Sequence, residues 1–214
     1  MKGIKAVFFD MDGTLIDSVD NAVKCWIEAF KRKGINVSHR DMYRVIGKAA
    51  IDIAKELGKI SDPREIDEVI DLARECFLNT WKQETRLYDG VVEILQYLKN
   101  KGYVLGLVTS SRLERAIVFL RYFGIEHYFD VIQGYESGIR GKPYPDLLIR
   151  VVERTGIKPG ECVYVGDALV DCLAARYAGM YFIHIVREWS RNLDSNVCRP
   201  DFVIQDILEI KEIL

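Results

Sequence analysis

The chain alternates between short apolar runs and longer amphipathic stretches. Six runs rich in β-branched and aromatic residues recur: "IKAVFF" (4–9), "YVLGLV" (103–108), "DVIQG" (130–134), "CVYVG" (162–166), "YFIHIV" (181–186) and "DFVI" (201–204). Most are apolar at consecutive positions, which suits strands buried on both faces of a parallel sheet. Helical periodicity fills the gaps at 91–101, 112–123, 145–155 and 168–178, each followed by a glycine (Gly102, Gly124, Gly156, Gly179) placed to end a helix. Leu113, Ala116, Ile117 and Leu120 form one such apolar stripe. Strand–helix alternation of this kind predicts an α/β fold with a Rossmann-like, doubly wound parallel sheet.

One segment departs from this rhythm. Residues 18–85 contain no convincing strand. Val19, Ala22, Val23, Trp26, Ile27 and Phe30 follow helical spacing up to Gly34. A second helix is expected to start at "DPRE" (62–65), with Asp62 as its cap, and to carry Ile66, Val69, Ile70, Ala73, Phe77 and Trp81 on one face. The expected organisation is therefore a core of residues 1–17 and 86–214, interrupted by an all-α cap domain of residues 18–85.

Composition narrows the function classes. The 214 residues carry a net charge of −2 with both signs interspersed, so neither a nucleic acid nor an anionic membrane is an expected partner. The N-terminal apolar stretch is too short for a signal peptide, and no run approaches membrane-spanning length. Cys25, Cys76, Cys162, Cys172 and Cys198 are well separated and form no CxxC pair, which reads as buried reduced thiols in a cytoplasmic protein. A monomer or weak homodimer is expected.

The chemistry lies where the strands end. In open α/β sheets ligands gather beyond the carboxyl ends of the strands. There the first strand delivers Asp10 and Asp12, the second Thr109, Ser110 and Ser111, and the fourth Asp167, with Asp171 a helical turn later. Lys142 follows the third strand in "GKPYPD". Residues two apart in extended chain face one way, so Asp10 and Asp12 can address one ligand. With Asp167 they form a negative cluster that a cation would relieve, and hard carboxylate oxygens suit Mg²⁺. Thr109 and Lys142 are suitable phosphate ligands, and a helix opening at Ser111 would add free N–H groups. "SRLE" (111–114) reads as a capping box, Asp17 and Ser18 as caps of the first helix of the segment, and His39, His127 and His184 as structural or surface residues.

"DMDGT" (10–14), "LVTSS" (107–111), "GKPYPD" (141–146) and "GDALVD" (166–171) together resemble the haloacid dehalogenase-like hydrolase superfamily, in its phosphoglycolate phosphatase-like subgroup with a helical cap. The resemblance implies a nucleophilic Asp10 that forms an aspartyl-phosphate, and Asp12 as general acid and base. It implies Mg²⁺ held by Asp10, the Asp12 carbonyl and Asp167, with Asp171 assisting directly or through water. Thr109 and Lys142 would hold the phosphoryl group, while Gly13, Ser110 (through its amide) and Lys48 in the cap would meet the substrate. An acid two positions after the nucleophile separates the phosphatase branch from the dehalogenases. A small phosphorylated metabolite is thus the expected partner. A phosphomutase or pyrophosphatase of the same family, or a non-catalytic receiver-like module, are the alternatives.

Overall fold

The structure, a computed structural model, describes residues 1, 3–190, 193–194 and 196–214. Its main sheet has the strand order β5-β4-β1-β6-β7-β8. These strands are β1 (Ala6–Phe9), β4 (Val104–Arg112), β5 (Val131–Tyr135), β6 (Cys162–Gly166), β7 (Tyr181–Ile185) and β8 (Phe202–Ile204). All neighbours pair parallel. Both faces are covered, and the alternation of side chains sorts each strand between them. Val7 and Phe9 pack with α5 (Val91–Asn100) and α6 (Leu113–Tyr122), whereas Ala6 and Phe8 pack with α7 (Asp146–Thr155) and α8 (Leu169–Ala178). That two-sided burial is why the strands read as continuous apolar runs. Gly106 belongs to this packing, since a Cβ there would lie 2.6 Å from the Phe8 ring.

Register decides where the chemistry meets. Phe9 pairs with Leu107 on one side and Val165 on the other. Asp10 therefore leaves the sheet level with residues 108 and 166, and Thr109 and Asp167 follow on the flanking strands. The first strand is central, with β4 and β6 on opposite sides, so its carboxyl end opens onto a topological switch point.

Residues beyond the first strand form a small antiparallel ribbon of β2 (Ile16–Asp17) and β3 (Arg86–Leu87), and four helices lie between them. These are α1 (Val19–Arg32), α2 (His39–Val45), α3 (Ala50–Gly58) and α4 (Pro63–Glu84). Asp62 caps α4 by accepting the Arg64 N–H at 2.8 Å. Val19, Val23, Phe30, Met42, Ile53 and Val69 build an apolar cluster of their own. The apolar stripe of α4 is divided. Ile66, Val69 and Ala73 join that cluster, while Phe77 and Trp81 join the core and stack on Phe119 at 5.8 and 4.4 Å. The last helix, α9 (Ile210–Ile213), closes the core.

Two expectations are corrected. The second strand runs on to Arg112, with a register shift after Val108, so α6 begins at Leu113 and not at Ser111. The Ser111 N–H is bonded to Thr109 Oγ1 at 3.1 Å and is no free helix-end donor. Four of the five cysteines are also not reduced: Cys25–Cys76 joins α1 to α4, and Cys172–Cys198 joins α8 to the segment before β8, with Cα atoms 5.5 and 6.1 Å apart. Pairs separated by 51 and 26 residues have no local signature, and only folding brings them within bonding range. Cys162 remains a buried thiol. Among the described residues no helix is long and apolar enough to cross a membrane.

Closing loops of this length stabilises a chain by about 3–4 kcal/mol each in the chain-entropy account. Reductant, which opens both bridges, is expected to lower the thermal midpoint of the wild type by about 15–30 °C. A Cys25→Ser/Cys172→Ser variant, which can form neither bridge, should melt at the same temperature with and without reductant in scanning calorimetry.

Candidate active site

Lys142 stands at the centre of the site. It is fully buried, with its Nζ 2.7 Å from Asp10 Oδ1, 2.5 Å from Asp171 Oδ1 and 3.1 Å from the Tyr164 hydroxyl. The tyrosine in turn donates to the Val108 carbonyl at 2.9 Å, and Asp171 Oδ2 accepts the Ala168 N–H at 2.9 Å. Burial opposes the lysine's charge, but Asp10 and Asp171 outweigh it and hold the ammonium above its ordinary range. A buried ammonium needs such partners, since desolvation alone would cost several kcal/mol.

Asp10, Asp167 and Asp171 each present a carboxylate oxygen, all within 4.8 Å of one another. Three carboxylates facing one ammonium leave two negative charges unbalanced, which matches a divalent cation, and the all-oxygen donor set matches Mg²⁺. Burial pushes the Asp10 carboxyl well above the usual range, with Lys142 working against it and Asp171 and Asp167 adding to it. Burial and then the Asp171 charge raise Asp167 to about 7. Asp171 has a different setting. Its oxygens are taken by Lys142 and the first turn of α8, so it anchors the lysine and the helix start.

Asp167 is held by two donors that its own motif does not reveal: Thr14 Oγ1 at 3.0 Å to Oδ1, and Trp189 Nε1 at 2.9 Å to Oδ2. Gly13 permits this approach. A Cβ at that position would sit 2.5 Å from Asp167 Oδ2, and its φ of +84° is one that glycine adopts without strain. Thr109 and Ser110 are buried in the carboxyl-terminal part of β4, and the Ser110 hydroxyl has no hydrogen-bond partner among the described residues. The expectation for Ser110 rested on its amide; the structure adds a free, enclosed hydroxyl.

The Asp12 carboxylate turns away from the cluster. Arg115 grips both of its oxygens at 2.7 and 2.6 Å, Ser111 donates at 3.1 Å and Ser18 at 2.5 Å. Burial would raise this carboxyl, but the Arg115 charge and the donated bonds outweigh it and hold it below the usual range. The structure thereby overturns two local readings. Ser111 serves Asp12 rather than a capping box with Glu114, and Ser18 gives α1 no side-chain cap because its hydroxyl also goes to Asp12. Asp17 pairs with Arg86 and accepts the Tyr88 hydroxyl across the ribbon. Arg115 was not singled out from the sequence. Its one signal there is the i, i+4 spacing from Ser111 in a segment expected to be helical, although in the structure Ser111 belongs to β4 and only Arg115 to α6.

Lys48 lies in the loop between α2 and α3 and pairs with Glu56. The loop presses on the core: a Cβ on Gly47 would meet Val170 at 3.0 Å, and one on Gly141 would meet Ala49 at 2.8 Å. The structure thus seats this loop beside the Lys142 segment, with the Lys48 ammonium already engaged. His184, read as structural, is buried with Nε2 3.2 Å from the Ser190 carbonyl, and burial lowers its pKa.

These shifts set a pH dependence. A carboxyl whose folded pKa is raised contributes stability below its unfolded pKa, and loses it as pH rises through the folded value. Asp10 and Asp167 have this sign; Asp12 has the opposite sign but titrates below 3.8, and His184 titrates below 6.5. Between pH 6.5 and 8.5 in EDTA, the thermal midpoint is therefore expected to fall, and Asp167→Asn should flatten that slope. A midpoint that rises over this window would contradict the assignment.

Comparisons with known proteins agree with this geometry. The sequence profile of the haloacid dehalogenase-like hydrolases matches residues 7–185. The chain is 30% identical to a phosphoglycolate phosphatase of Pasteurella multocida, covering 100% of both chains, and 27% identical to the pyrophosphatase PpaX of Halalkalibacterium halodurans, covering 99% of this chain and 97% of the other. The crystal structure of a predicted phosphoglycolate phosphatase from Haemophilus somnus superposes with a TM-score of 0.82 at 26% identity, over 100% of this chain and 99% of that one. A core of this topology, with the matching motifs at its strand ends, makes the chain a member of the haloacid dehalogenase-like hydrolase family, of the phosphoglycolate phosphatase-like kind.

Proposed function

We propose that this hydrolase is a Mg²⁺-dependent phosphatase that cleaves a small phosphomonoester through a phosphorylated Asp10. The observation that carries the reading is the buried trio of Asp10, Asp167 and Asp171 around the Lys142 ammonium, at the carboxyl ends of the central strands. Asp10, Asp167 and the Asp12 carbonyl would hold the metal, with Asp171 reaching it through water because its oxygens are engaged. Bound there, Mg²⁺ would neutralise the carboxylates and draw charge from the phosphoryl oxygens.

The protein's own groups divide the remaining work. The Asp10 carboxylate attacks phosphorus, and the P–O bond to the alcohol breaks. Lys142 and Thr109 stabilise the equatorial oxygens of the transferring group, and the Lys142 ammonium favours the ionised form of Asp10 against burial and the acidic neighbours, with the cation supplying the rest of the charge balance. Asp12 gives a proton to the departing alcohol and later takes one from the water that opens the acyl phosphate. Arg115 grips that carboxylate in the structure, so proton transfer by Asp12 requires this pair to open. The pair is a resting position for the acid.

Helices α1–α4 serve as a cap over this end of the sheet. Their loop with Gly47 and Lys48 abuts the core beside Lys142, where it can read the leaving group and exclude water. Phosphoglycolate is the first candidate substrate, because phosphoglycolate phosphatases recur among the relatives; pyrophosphate is the second, on the strength of the PpaX relative. A receiver-like module is disfavoured, since it has no leaving group for Asp12 to protonate and no use for a helical cap.

Hydrolysis of phosphoglycolate, sugar phosphates, nucleoside monophosphates and pyrophosphate should be compared with and without Mg²⁺. Sustained turnover that EDTA abolishes is expected, with Asp10→Asn lowering kcat by about 10³-fold or more. A single stoichiometric phosphorylation without turnover would instead favour the receiver-like module. Arg115→Ala removes the group that holds the Asp12 carboxyl low, so the inflection assigned to Asp12 in the pH profile of kcat/KM should move to higher pH.

A further inference from the structure

Trp189 connects the carboxylate cluster to the helical segment. It lies in a short helical turn, Glu188–Ser190, after β7. Its indole N–H donates to Asp167 Oδ2 at 2.9 Å, while its ring stacks on Tyr43 of α2 with centroids 6.1 Å apart and planes 8° from parallel. The ring also packs against the apolar cluster of α1–α4, and Tyr43 in turn donates its hydroxyl to Asp20 of α1 at 2.7 Å.

The turn itself is tied down. Arg187 donates to the carbonyls of Gly13 and Thr14 at 2.7 and 3.1 Å, its N–H is bonded to Ser190 Oγ at 3.1 Å, and His184 Nε2 meets the Ser190 carbonyl. The indole is thus fixed relative to the loop that supplies Thr14, the other donor to Asp167. Packing against the helices would be met by any large apolar side chain. The hydrogen bond to Asp167 requires the N–H.

We propose that Trp189 is a positioning residue that orients Asp167 toward the cation and, through Tyr43, makes cation affinity depend on the docking of the helical segment. The inference rests on the Mg²⁺ reading above. With Oδ1 held by Thr14 and Oδ2 by Trp189, the carboxylate cannot rotate, and each oxygen keeps a lone pair for a metal. Partners of this kind, one step behind a metal ligand, affect affinity by about 10–100-fold in other sites. Docking and cation binding are then linked in both directions, because a coupling free energy is shared by the two equilibria.

The test is Mg²⁺ titration of the substrate-free protein by calorimetry. Trp189→Phe keeps the ring against Tyr43 and loses only the donor; its Kd for Mg²⁺ is expected to rise about tenfold. Tyr43→Ala leaves the indole N–H in place and touches no carboxylate of the cluster, and its Kd should rise by about 2- to 5-fold through the coupling alone. Saturating Mg²⁺ should restore kcat in Trp189→Phe with the substrate KM unchanged, a recovery that a packing defect would not show. Wild-type affinity in both variants overturns the inference while leaving the metal reading intact. Absence of Mg²⁺ binding to the wild type overturns both.

Discussion

An ammonium without access to water decides the form of this site. Lys142 reaches the sheet from the loop after β5 and lies between Asp10 at the end of β1 and Asp171 at the start of α8. None of these charges is tolerable alone at such depth, so each element is held to the others by the cost of leaving its partner unpaired. The Tyr164 hydroxyl extends the bond network to the β4 backbone at Val108. Loops from separate strands are thereby kept in one geometry by electrostatics as well as by the apolar packing beneath them.

The same constraint explains why the site is incomplete in charge. One ammonium cannot balance three carboxylates, and Asp10 and Asp167 are raised by their burial first and by their acidic neighbours second. Apolar packing on both sheet faces sustains this imbalance, because the strands that end at these acids lie in a continuous buried core. Stability stored in the core is what permits a cluster that is unfavourable by itself.

Two bridges join the helical segment to this chemistry. The Arg115 guanidinium lies over the stacked pair of Phe77 of α4 and Phe119 of α6, 4.6 and 4.5 Å from the two ring centroids, while it holds Asp12. Trp189 is stacked on α2 while it holds Asp167. Both acids are therefore oriented by side chains whose other face lies against the helices. Movement of α1–α4 relative to the sheet would be felt at Asp12 and at Asp167 together.

Periodicity and local chemistry alone determined the sheet, its flanking helices and the helical segment, since two-sided burial and amphipathic stripes are properties of neighbouring residues. The placement of Asp10, Thr109 and Asp167 was legible for the same reason, as each directly follows an apolar run, and Lys142 was legible from its "GKPYPD" segment in the loop after the third run. The roles of Ser18, Ser111 and Thr14 were not. Their hydroxyls satisfy the commonest local rules, helix capping and turn formation, and only the fold offered Asp12 and Asp167 as better acceptors. Arg115, Tyr164, Trp189 and the two disulfides depend on contacts between residues 22 to 103 positions apart. Spacing along the chain carries no information about such pairs, because strand register and helix docking, not sequence proximity, bring their atoms within reach.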